Sequence, residues 1–277
     1  MEQRERGESA ATSRPADPLS REPTSVSAPA KSALLSVIIP VHNEGRLLDA
    51  ALDRLRDAPC PIARELILVD DGSTDGSLGI ARTRADELGL TVLSRPHRGK
   101  GAAVAAGIEA ATGDFICVQD ADLEYDPRDL AQLVLPLLED SADVVYGSRF
   151  RREAPQVHRT FHYLINRILT DLSNLLSGIY LSDMETCYKV FRADLLKAMR
   201  LRSERFGFEV ETTAYVAKVN ARIYELPISY APRTKLAGKK ISWRDGLAAL
   251  VHLVHFNLLI GRTQAFAGLP ARYTPEA

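Results

Sequence analysis

Two carboxylates two residues apart, Asp120 and Asp122, are the sharpest chemical feature of the sequence. They closely follow the apolar run Phe115–Val118, which is typical of a buried strand. Paired hard oxygen ligands suit Mg²⁺ or Mn²⁺, and such an ion could bridge a diphosphate. Without an ion, carboxylates this close repel each other and raise one pKa. A solvated turn that caps a helix near Pro127 is the other interpretation, but the position after a buried strand favours the metal site.

Polar residues also follow four other apolar runs of the chain. They lie in Pro40–Glu44, Asp70–Asp75, Arg95–Gly101 and Gly147–Arg149. Asp71 could accept a hydrogen bond from a nucleobase edge, although its segment could also be only a capped turn. Lys100 stands where a helix opens, so its ammonium and the nearby backbone N–H groups could meet a phosphate. The stretch is not a Walker A loop, because its first glycine and the Ser or Thr after the lysine are missing.

The elements that must position these residues follow from the apolar periodicity. Strands are predicted at 35–39, 66–69, 91–93, 115–118 and 144–146, and helices at 47–55, 77–88, 100–111 and 129–138. Continuous apolar strands that alternate with helices indicate an α/β fold, with a mostly parallel sheet covered by helices on both faces. Ligands of such sheets bind beyond the carboxyl ends of the strands. No GxGxxG follows the first strand, which counts against a dinucleotide-binding Rossmann domain.

Composition and charge limit the class of protein. The 277 residues contain 45% hydrophobic residues and carry a net charge of -1, which excludes a collagen-like, disulfide-framework or fully disordered chain. Near-neutral charge argues against a nucleic-acid partner. The three cysteines, Cys60, Cys117 and Cys187, form no CxxC pair, so we expect reduced thiols in a cytosolic protein and no structural zinc site.

In order and spacing, the five strand-end motifs resemble the family 2 glycosyltransferases of GT-A fold. The resemblance runs from about Leu35 to Ile260. It is closer to the polyprenyl-phosphate branch, which contains the dolichol-phosphate mannose and glucose synthases and their bacterial relatives. That likeness rests on Asp183–Arg192, Phe206–Glu209, Glu225–Ile228 and Arg233–Lys240.

The resemblance implies a role for each matching residue. The nucleotide pocket is implied to contain Pro40, His42, Glu44 and Asp71. The implied metal ligands are Asp120 and Asp122, with Glu124 as the third where relatives often have Gln. The cations that would neutralise donor diphosphate and acceptor phosphate are Arg149, Arg233, Lys239 and Lys240, beside the Lys100 inferred above. Asp183 matches a proposed catalytic base, although an anionic phosphate acceptor needs positioning more than deprotonation.

The expected activity is therefore transfer of a hexose from a nucleotide-sugar to a polyprenyl or dolichyl phosphate. The donor is expected to be of the UDP-glucose or GDP-mannose type. We expect the transfer to proceed with inversion and to depend on Mg²⁺ or Mn²⁺ as cofactor. Three alternatives stay open: the same fold with another acceptor, a sugar-phosphate nucleotidyltransferase, and a non-catalytic nucleotide-sugar-binding module. The Gly-rich loop that a nucleotidyltransferase needs after the first strand is absent. The sequence leaves the sugar, the base and the lipid undetermined.

The expected domain organisation has four parts. Residues 1–33 are predicted to be a disordered tail, 34–232 the transferase domain, 233–262 a basic loop with an amphipathic helix, and 263–277 a loose end. Apolar stripes at 161–176 and 247–260 are typical of core helices or of helices at a membrane interface. The second is too short to span about 30 Å of hydrocarbon. We expect a cytoplasmic enzyme, peripheral at the membrane face or attached to a membrane subunit.

Overall fold

The computed structural model describes residues 33–151, 160–205, 207–232 and 243–274. The predicted tail, apart from Ala33, and the basic residues Arg233, Lys239 and Lys240 lie outside these ranges. All statements below concern the described residues.

A seven-stranded sheet forms the centre of the fold. Its strands are β1 (Leu34–Val41), β2 (Ala63–Asp71), β3 (Leu90–Arg95), β4 (Phe115–Val118), β5 (Val144–Ser148), β6 (Lys189–Arg192) and β7 (Ile223–Pro227). Their order is β3-β2-β1-β4-β6-β5-β7. Strand β6 is antiparallel to β4 and β5, and the other neighbours are parallel. The prediction of a mostly parallel sheet is confirmed, and all five predicted strands are present.

Helices follow most of the strands. They are α1 (Leu48–Asp57), α2 (Ser77–Leu88), α3 (Lys100–Ala110), α4 (Leu130–Leu138), α5 (Thr160–Ser177), α6 (Ala193–Ala198), α7 (Phe208–Val216), α8 (Trp243–Val254) and α9 (Arg262–Ala265). A π-helical turn, His255–Leu259, extends α8. None of the described helices combines the length and the apolar character that crossing a bilayer requires.

The sheet is covered on both faces. Val37, Ile38 and Ile39 are consecutive in β1 and are all at most 2% exposed. Since successive side chains of a strand point to opposite faces, burial of all three requires cover on both sides. On one face α3 approaches very closely, because a Cβ atom at Gly107 would lie 2.4 Å from Cγ2 of Ile38. Glycine at 107 therefore sets the spacing between α3 and the sheet.

The C-terminal segment corrects one predicted boundary. We expected residues 263–277 to be a loose end, but the chain packs through residue 274, and Phe266 and Tyr273 are buried. Backbone hydrogen bonds from Arg200 N to Ala265 O and from Ala267 N to Ala198 O attach the segment beside α6. The prediction is wrong because two buried aromatic rings and two backbone hydrogen bonds are enough to attach so short a segment.

The two apolar stripes prove to be divided between core and surface. In α8 and its π-helical turn, Leu253, Phe256 and Ile260 are buried, whereas Val251 and Leu258 are each 62% exposed. In α5, which contacts α8, Leu169 is buried while Leu164, Ile168 and Leu175 are exposed. Each helix therefore serves the core with one part of its stripe and presents the remainder at the surface.

Replacing Gly107 by alanine tests the close approach of α3 to β1. Gly107→Ala should lower the free energy of unfolding by up to about 2 kcal/mol, because overpacking that costs about 1–3 kcal/mol opposes a helix-propensity gain of about 1 kcal/mol. Gly79→Ala in α2 is the matched control, since no atom lies within 4 Å of a Cβ there. Urea denaturation measures both. A Gly107→Ala variant as stable as the control would contradict the packing argument.

Candidate active site

Hydrogen bonds join the loops that follow β1 and β2. Asn43, which has a φ of 54°, donates from its backbone N to Ser73 Oγ at 3.0 Å and accepts at Oδ1 from Thr74 N at 2.7 Å. Gly45 N donates to Asp75 Oδ2 at 2.9 Å. These contacts fix the two loops to each other at the carboxyl-terminal edge of the sheet.

Asp71 anchors a third loop to the same place. Its Oδ1 accepts from Arg98 N at 3.0 Å, and its Oδ2 accepts from Gly99 N at 2.7 Å. His97 Nδ1 also lies 2.8 Å from Oδ2. The carboxylate is 3% exposed and faces this loop, so it holds the segment that leads into α3.

Two histidine rings stack beside Asp71. The centroids of His42 and His97 are 4.0 Å apart, and His42 Nδ1 lies 2.9 Å from the carbonyl oxygen of Asp71. Because a carbonyl oxygen only accepts, Nδ1 of His42 carries the proton in this contact. Among the residues that the structure describes, His42, Asp71 and His97 form the group of three whose ligand atoms all lie within 4.8 Å of one another.

Lys100, the first residue of α3, lies between two carboxylates. Its Nζ is 3.0 Å from Asp120 Oδ2 and 3.1 Å from Glu209 Oε1, and Cys187 Sγ is 3.7 Å away. Burial would lower the pKa of Lys100, but Asp120, Cys187 and Glu209 outweigh it and raise that pKa well above its ordinary value. Lys100 therefore stays cationic beside Asp120, the first of the two aspartates after β4.

The backbone N–H groups of the first turn of α3 have other partners. Gly101 N donates to Arg205 O, and Ala102 N donates to Glu204 O, both at 3.0 Å. The prediction that these N–H groups meet a phosphate is therefore wrong. The loop before α7 occupies them, and a Cβ at Gly101 would lie only 2.1 Å from Ser203 O.

The three acidic residues after β4 have different partners. Asp120 pairs with Lys100 as above, Asp122 Oδ1 accepts from Glu124 N at 3.1 Å, and Glu124 Oε2 accepts from the hydroxyl of Tyr230 at 2.5 Å. They do not form a group whose ligand atoms all lie within 4.8 Å. Repulsion between carboxylates explains this separation, and a bound cation would offset it.

A buried ion pair stands at the end of β5. Arg149 donates from Nε to Asp183 Oδ2 and from a terminal guanidinium nitrogen to Oδ1, both at 2.7 Å. Arg149 is 8% exposed and Asp183 is 0% exposed. Burial would lower the pKa of Arg149, but Asp183 outweighs burial and raises it well above its ordinary value. The contacts of Asp183 are those of an anchor for Arg149.

Residues 36–200 match the sequence profile of "Glycosyl transferase family 2". The chain belongs to glycosyl transferase family 2. The matched range contains the loops after β1, β2, β3 and β4, the last of which holds Asp120 and Asp122. It also contains Asp183 and ends before α7, which contributes Glu209.

Curated relatives of this family 2 transferase act on lipid phosphates, as their names state. Dodecaprenyl-phosphate galacturonate synthase of Rhizobium johnstonii is 33% identical over 74% of this chain and 61% of its own length. Undecaprenyl-phosphate 4-deoxy-4-formamido-L-arabinose transferase of Aeromonas hydrophila is 32% identical over 80% of this chain and 66% of its own length. Undecaprenyl-phosphate mannosyltransferase of Micrococcus luteus is 33% identical over 80% of this chain and 93% of its own length. The chain thus spans about two thirds of the first two relatives.

Solved structures share the fold of this transferase. Glucosyl-3-phosphoglycerate synthase from Mycobacterium tuberculosis with phosphoglyceric acid has a TM-score of 0.62 and 20% identity, over 81% of this chain and 80% of that chain. The complex of that enzyme with Mn²⁺, uridine diphosphate and glucosyl-3-phosphoglycerate has a TM-score of 0.58 over the same shares. Another contains Mg²⁺ and uridine diphosphate. At this identity the likeness concerns the fold alone.

The remaining predicted residues of the transferase lie at the same edge of the sheet. Pro40 pairs with Val69 in the register of β1 and β2, one residue before β1 ends. Glu44 accepts from Leu47 N and Leu48 N at 2.9 Å and so starts α1.

Sequence reasoning missed Glu185, Lys189, Glu209 and Tyr230 as site residues, although three of them lie within the motifs that carried the resemblance. Glu185 Oε1 is buried, and no described residue donates a hydrogen bond to it. Burial, and then Glu209, raise the pKa of Glu185 to about 7. Burial lowers the pKa of Lys189 to about 8. Tyr230 carries no signal in the sequence, because its partners are distant along the chain.

Removing the charge of Asp183 tests its role as the anchor of Arg149. Asp183→Asn should lower the free energy of unfolding by about 3–5 kcal/mol, because it leaves the guanidinium buried without its counter-ion. Asp171→Asn is the matched control, since Asp171 forms an exposed pair with Arg167 at 3.1 Å. That control should lose at most about 0.5 kcal/mol. Equal small losses in urea denaturation would contradict the anchor role.

Proposed function

We propose that this transferase moves a hexose from a nucleotide-sugar to the phosphate of a polyprenyl phosphate, with inversion and with Mg²⁺ or Mn²⁺. The observation that carries the proposal is the alternation of charge at one sheet edge. Asp120 follows β4 and lies beside Lys100. Arg149 is held by Asp183 at the end of β5, which β6 separates from β4 in the sheet. Such an edge suits a substrate whose diphosphate needs both a cation and basic side chains. The names of the curated relatives support the lipid phosphate as acceptor.

The donor set after β4 fits a hard divalent cation. Mg²⁺ is usually held by one or two carboxylates together with substrate phosphates and water. Asp120 and Asp122 offer two carboxylates, and the side chain of Asp120 is 20% exposed, so a diphosphate can approach it. Glu124 is the proposed third ligand. A bound cation would neutralise charge on the leaving nucleotide diphosphate.

The nucleotide itself is proposed to bind at the joined loops after β1 and β2. Pro40, His42, Glu44 and Asp71 belong to that pocket in the proposal. The stacked rings of His42 and His97 offer a flat surface at its edge, while Asp71 keeps the loop around them in place. The transferred sugar then points toward β4.

The cationic groups position the two anions of the reaction. An oxygen of the acceptor phosphate attacks the anomeric carbon, and the bond from that carbon to the diphosphate breaks with its electron pair going to the diphosphate. Arg149 and Lys100 hold fixed positive charge where negative charge gathers. In the proposal Arg233, Lys239 and Lys240 complete the set. The acceptor phosphate is already ionised, so Asp183 serves as the anchor of Arg149 and no base is needed.

Replacing Asp122 tests the proposed chemistry. Asp122→Asn should lower turnover about a hundredfold or more, since one lost contact to transition-state charge costs about 3 kcal/mol. The matched control is Asp126→Asn in the same loop, where Asp126 pairs with Arg128 at 2.5 Å. The assay mixture contains radiolabelled UDP-glucose or GDP-mannose, undecaprenyl phosphate and MnCl₂. The product is the label that enters an organic extract and that mild acid then releases.

The same assay separates the alternatives. Label in a water-soluble product, with 3-phosphoglycerate as acceptor, would contradict the lipid acceptor while leaving the transferase reaction intact. Release of pyrophosphate from a sugar phosphate and a nucleoside triphosphate would contradict sugar transfer itself. Thermal-shift measurements with UDP and GDP, each with and without MnCl₂, select the nucleotide, because a ligand of the folded state raises its melting temperature.

We also propose that the exposed apolar side chains of α5, α8 and the π-helical turn contact the bilayer that holds the acceptor. A polyprenyl phosphate presents its headgroup at a lipid surface, so the enzyme must reach that surface. Leu175, Leu258 and Leu259 are 79%, 62% and 66% exposed. Apolar side chains on such helices bury area in the headgroup region and provide affinity for it.

Polar substitution in the π-helical turn tests the membrane contact. The double variant Leu258→Ser, Leu259→Ser should bind vesicles of phosphatidylglycerol and phosphatidylethanolamine about tenfold more weakly, because two buried leucines contribute more than 1.4 kcal/mol. Leu135→Ser is the matched control, since Leu135 is an exposed leucine of α4. Vesicle flotation measures both variants. Equal binding by the double variant and the wild type would contradict the proposed surface.

A further inference from the structure

Glu124 is contacted by the side chain of Tyr230 and by the backbone of the residue that follows it. The tyrosine lies three residues after β7, and its hydroxyl donates to Glu124 Oε2 at 2.5 Å. The next residue, Ala231, donates from its backbone N to Glu124 O at 2.8 Å. A bridge between Tyr125 and Tyr230 joins the two segments. The carboxylate of Glu124 is therefore oriented by a residue more than a hundred positions later in the chain.

The ring of Tyr230 carries a second contact. The guanidinium carbon of Arg149 lies 5.1 Å from the centre of that ring, within the range of a cation–π interaction. The ring centre of Tyr125 lies 5.3 Å from that of Tyr230, with an interplanar angle of 60° that is typical of an edge-to-face contact. Arg149 is thus held by Asp183 at its nitrogens and by an aromatic ring at its face. A single side chain touches both the acidic and the basic part of the site.

We propose that Tyr230 is a positioning residue for the transfer reaction: its hydroxyl sets the carboxylate of Glu124 for the divalent cation, and its ring sets the guanidinium of Arg149. The inference rests on the proposed function, because it assumes that Glu124 helps to hold a cation. Carboxylates that bind metals are themselves hydrogen-bonded, and loss of such a partner costs about 10–100-fold in affinity or activity. The two oxygens of a carboxylate offer about four lone-pair sites, so accepting from the hydroxyl of Tyr230 is compatible with ligation of a cation.

The two contacts can be separated by substitution. Tyr230→Phe removes the hydroxyl and keeps the ring, so it should weaken binding of the cation and leave the position of Arg149 unchanged. Tyr230→Leu removes both. Tyr125→Phe is the matched control for the first variant. The ring of Tyr125 contacts that of Tyr230, but its hydroxyl accepts from Cys187 N at 3.0 Å.

Binding of MnCl₂ tests the hydroxyl without any turnover. The electron paramagnetic resonance signal of unbound Mn²⁺ gives the dissociation constant, alone and with the nucleotide that the thermal-shift measurements select. Tyr230→Phe should weaken Mn²⁺ binding about tenfold or more, and Tyr125→Phe should change it by less than about twofold. In a Glu124→Ala background, Tyr230→Phe should have no further effect, because the hydroxyl acts through that carboxylate. This last comparison holds even where Tyr230→Phe lowers stability.

The outcomes distinguish this inference from the proposed function. If Asp122→Asn abolishes Mn²⁺ binding while Tyr230→Phe binds Mn²⁺ as tightly as the wild type, or more tightly, the role of the hydroxyl is overturned and the metal site stands. If the wild type binds no Mn²⁺, both the metal site and the role of Tyr230 fall.

Steady-state kinetics tests the ring. Tyr230→Leu should raise the KM for undecaprenyl phosphate several-fold above that of Tyr230→Phe, because a cation–π contact is worth about a factor of two to thirty. Equal acceptor KM values for the two variants would overturn the role of the ring.

Discussion

Charge burial at the carboxyl-terminal edge of the sheet is the constraint on which the site depends. An ionised side chain withdrawn from water is tolerated only with a partner that restores what solvation provided. Arg149 meets this condition through Asp183, and Lys100 meets it through Asp120 and Glu209. These pairs fix cationic groups in place before a substrate arrives, and fixed charge is what stabilises a developing anion without reorganisation.

The same constraint explains why the acidic residues are separated. Asp120, Asp122 and Glu124 each have a different partner: an ammonium, a backbone amide and a tyrosine hydroxyl. Three carboxylates on one short loop repel each other unless such partners, or a cation, compensate them. A divalent cation would offset the negative charge of these carboxylates at the edge of the sheet, and a diphosphate would in turn offset the charge of the cation.

Much of the fold could be predicted because its signals are local. The predicted runs in β1, β2, β4 and β5 are buried, and helical periodicity follows each of the five runs, so the five predicted strands and the four predicted helices are present. Strand β6 escaped prediction because it begins with Lys189 and ends with Arg192, so no apolar run marks it. The Lys189 ammonium donates to Met184 O and Thr186 O instead of reaching water. The packed end of the chain escaped for a related reason, since Tyr273 is one buried ring among polar neighbours.

Some members of the candidate site could be expected from their position after a strand, but four were missed and the contacts between them could not be predicted. Asp71, Asp120 and Arg149 stand at strand ends, where the architecture of a parallel sheet brings ligand-binding residues together. The contacts of the site join residues that lie far apart in the chain: Lys100 reaches Glu209, and Tyr230 reaches Glu124. No periodicity encodes such pairs. For this reason the sequence suggested that the N–H groups opening α3 would meet a phosphate, whereas the backbone at Glu204 and Arg205 accepts from them.

In the proposed function, one edge of the sheet holds a divalent cation and a nucleotide diphosphate between its acidic and basic side chains. Crystals grown with MnCl₂ and the nucleoside diphosphate selected by thermal shift, measured at the manganese absorption edge, test it directly. That arrangement requires an anomalous peak within about 2.5 Å of carboxylate oxygens of both Asp120 and Asp122, in contact with the diphosphate. A peak at His42, Asp71 and His97 alone, or a diphosphate bound away from Asp120, would contradict it.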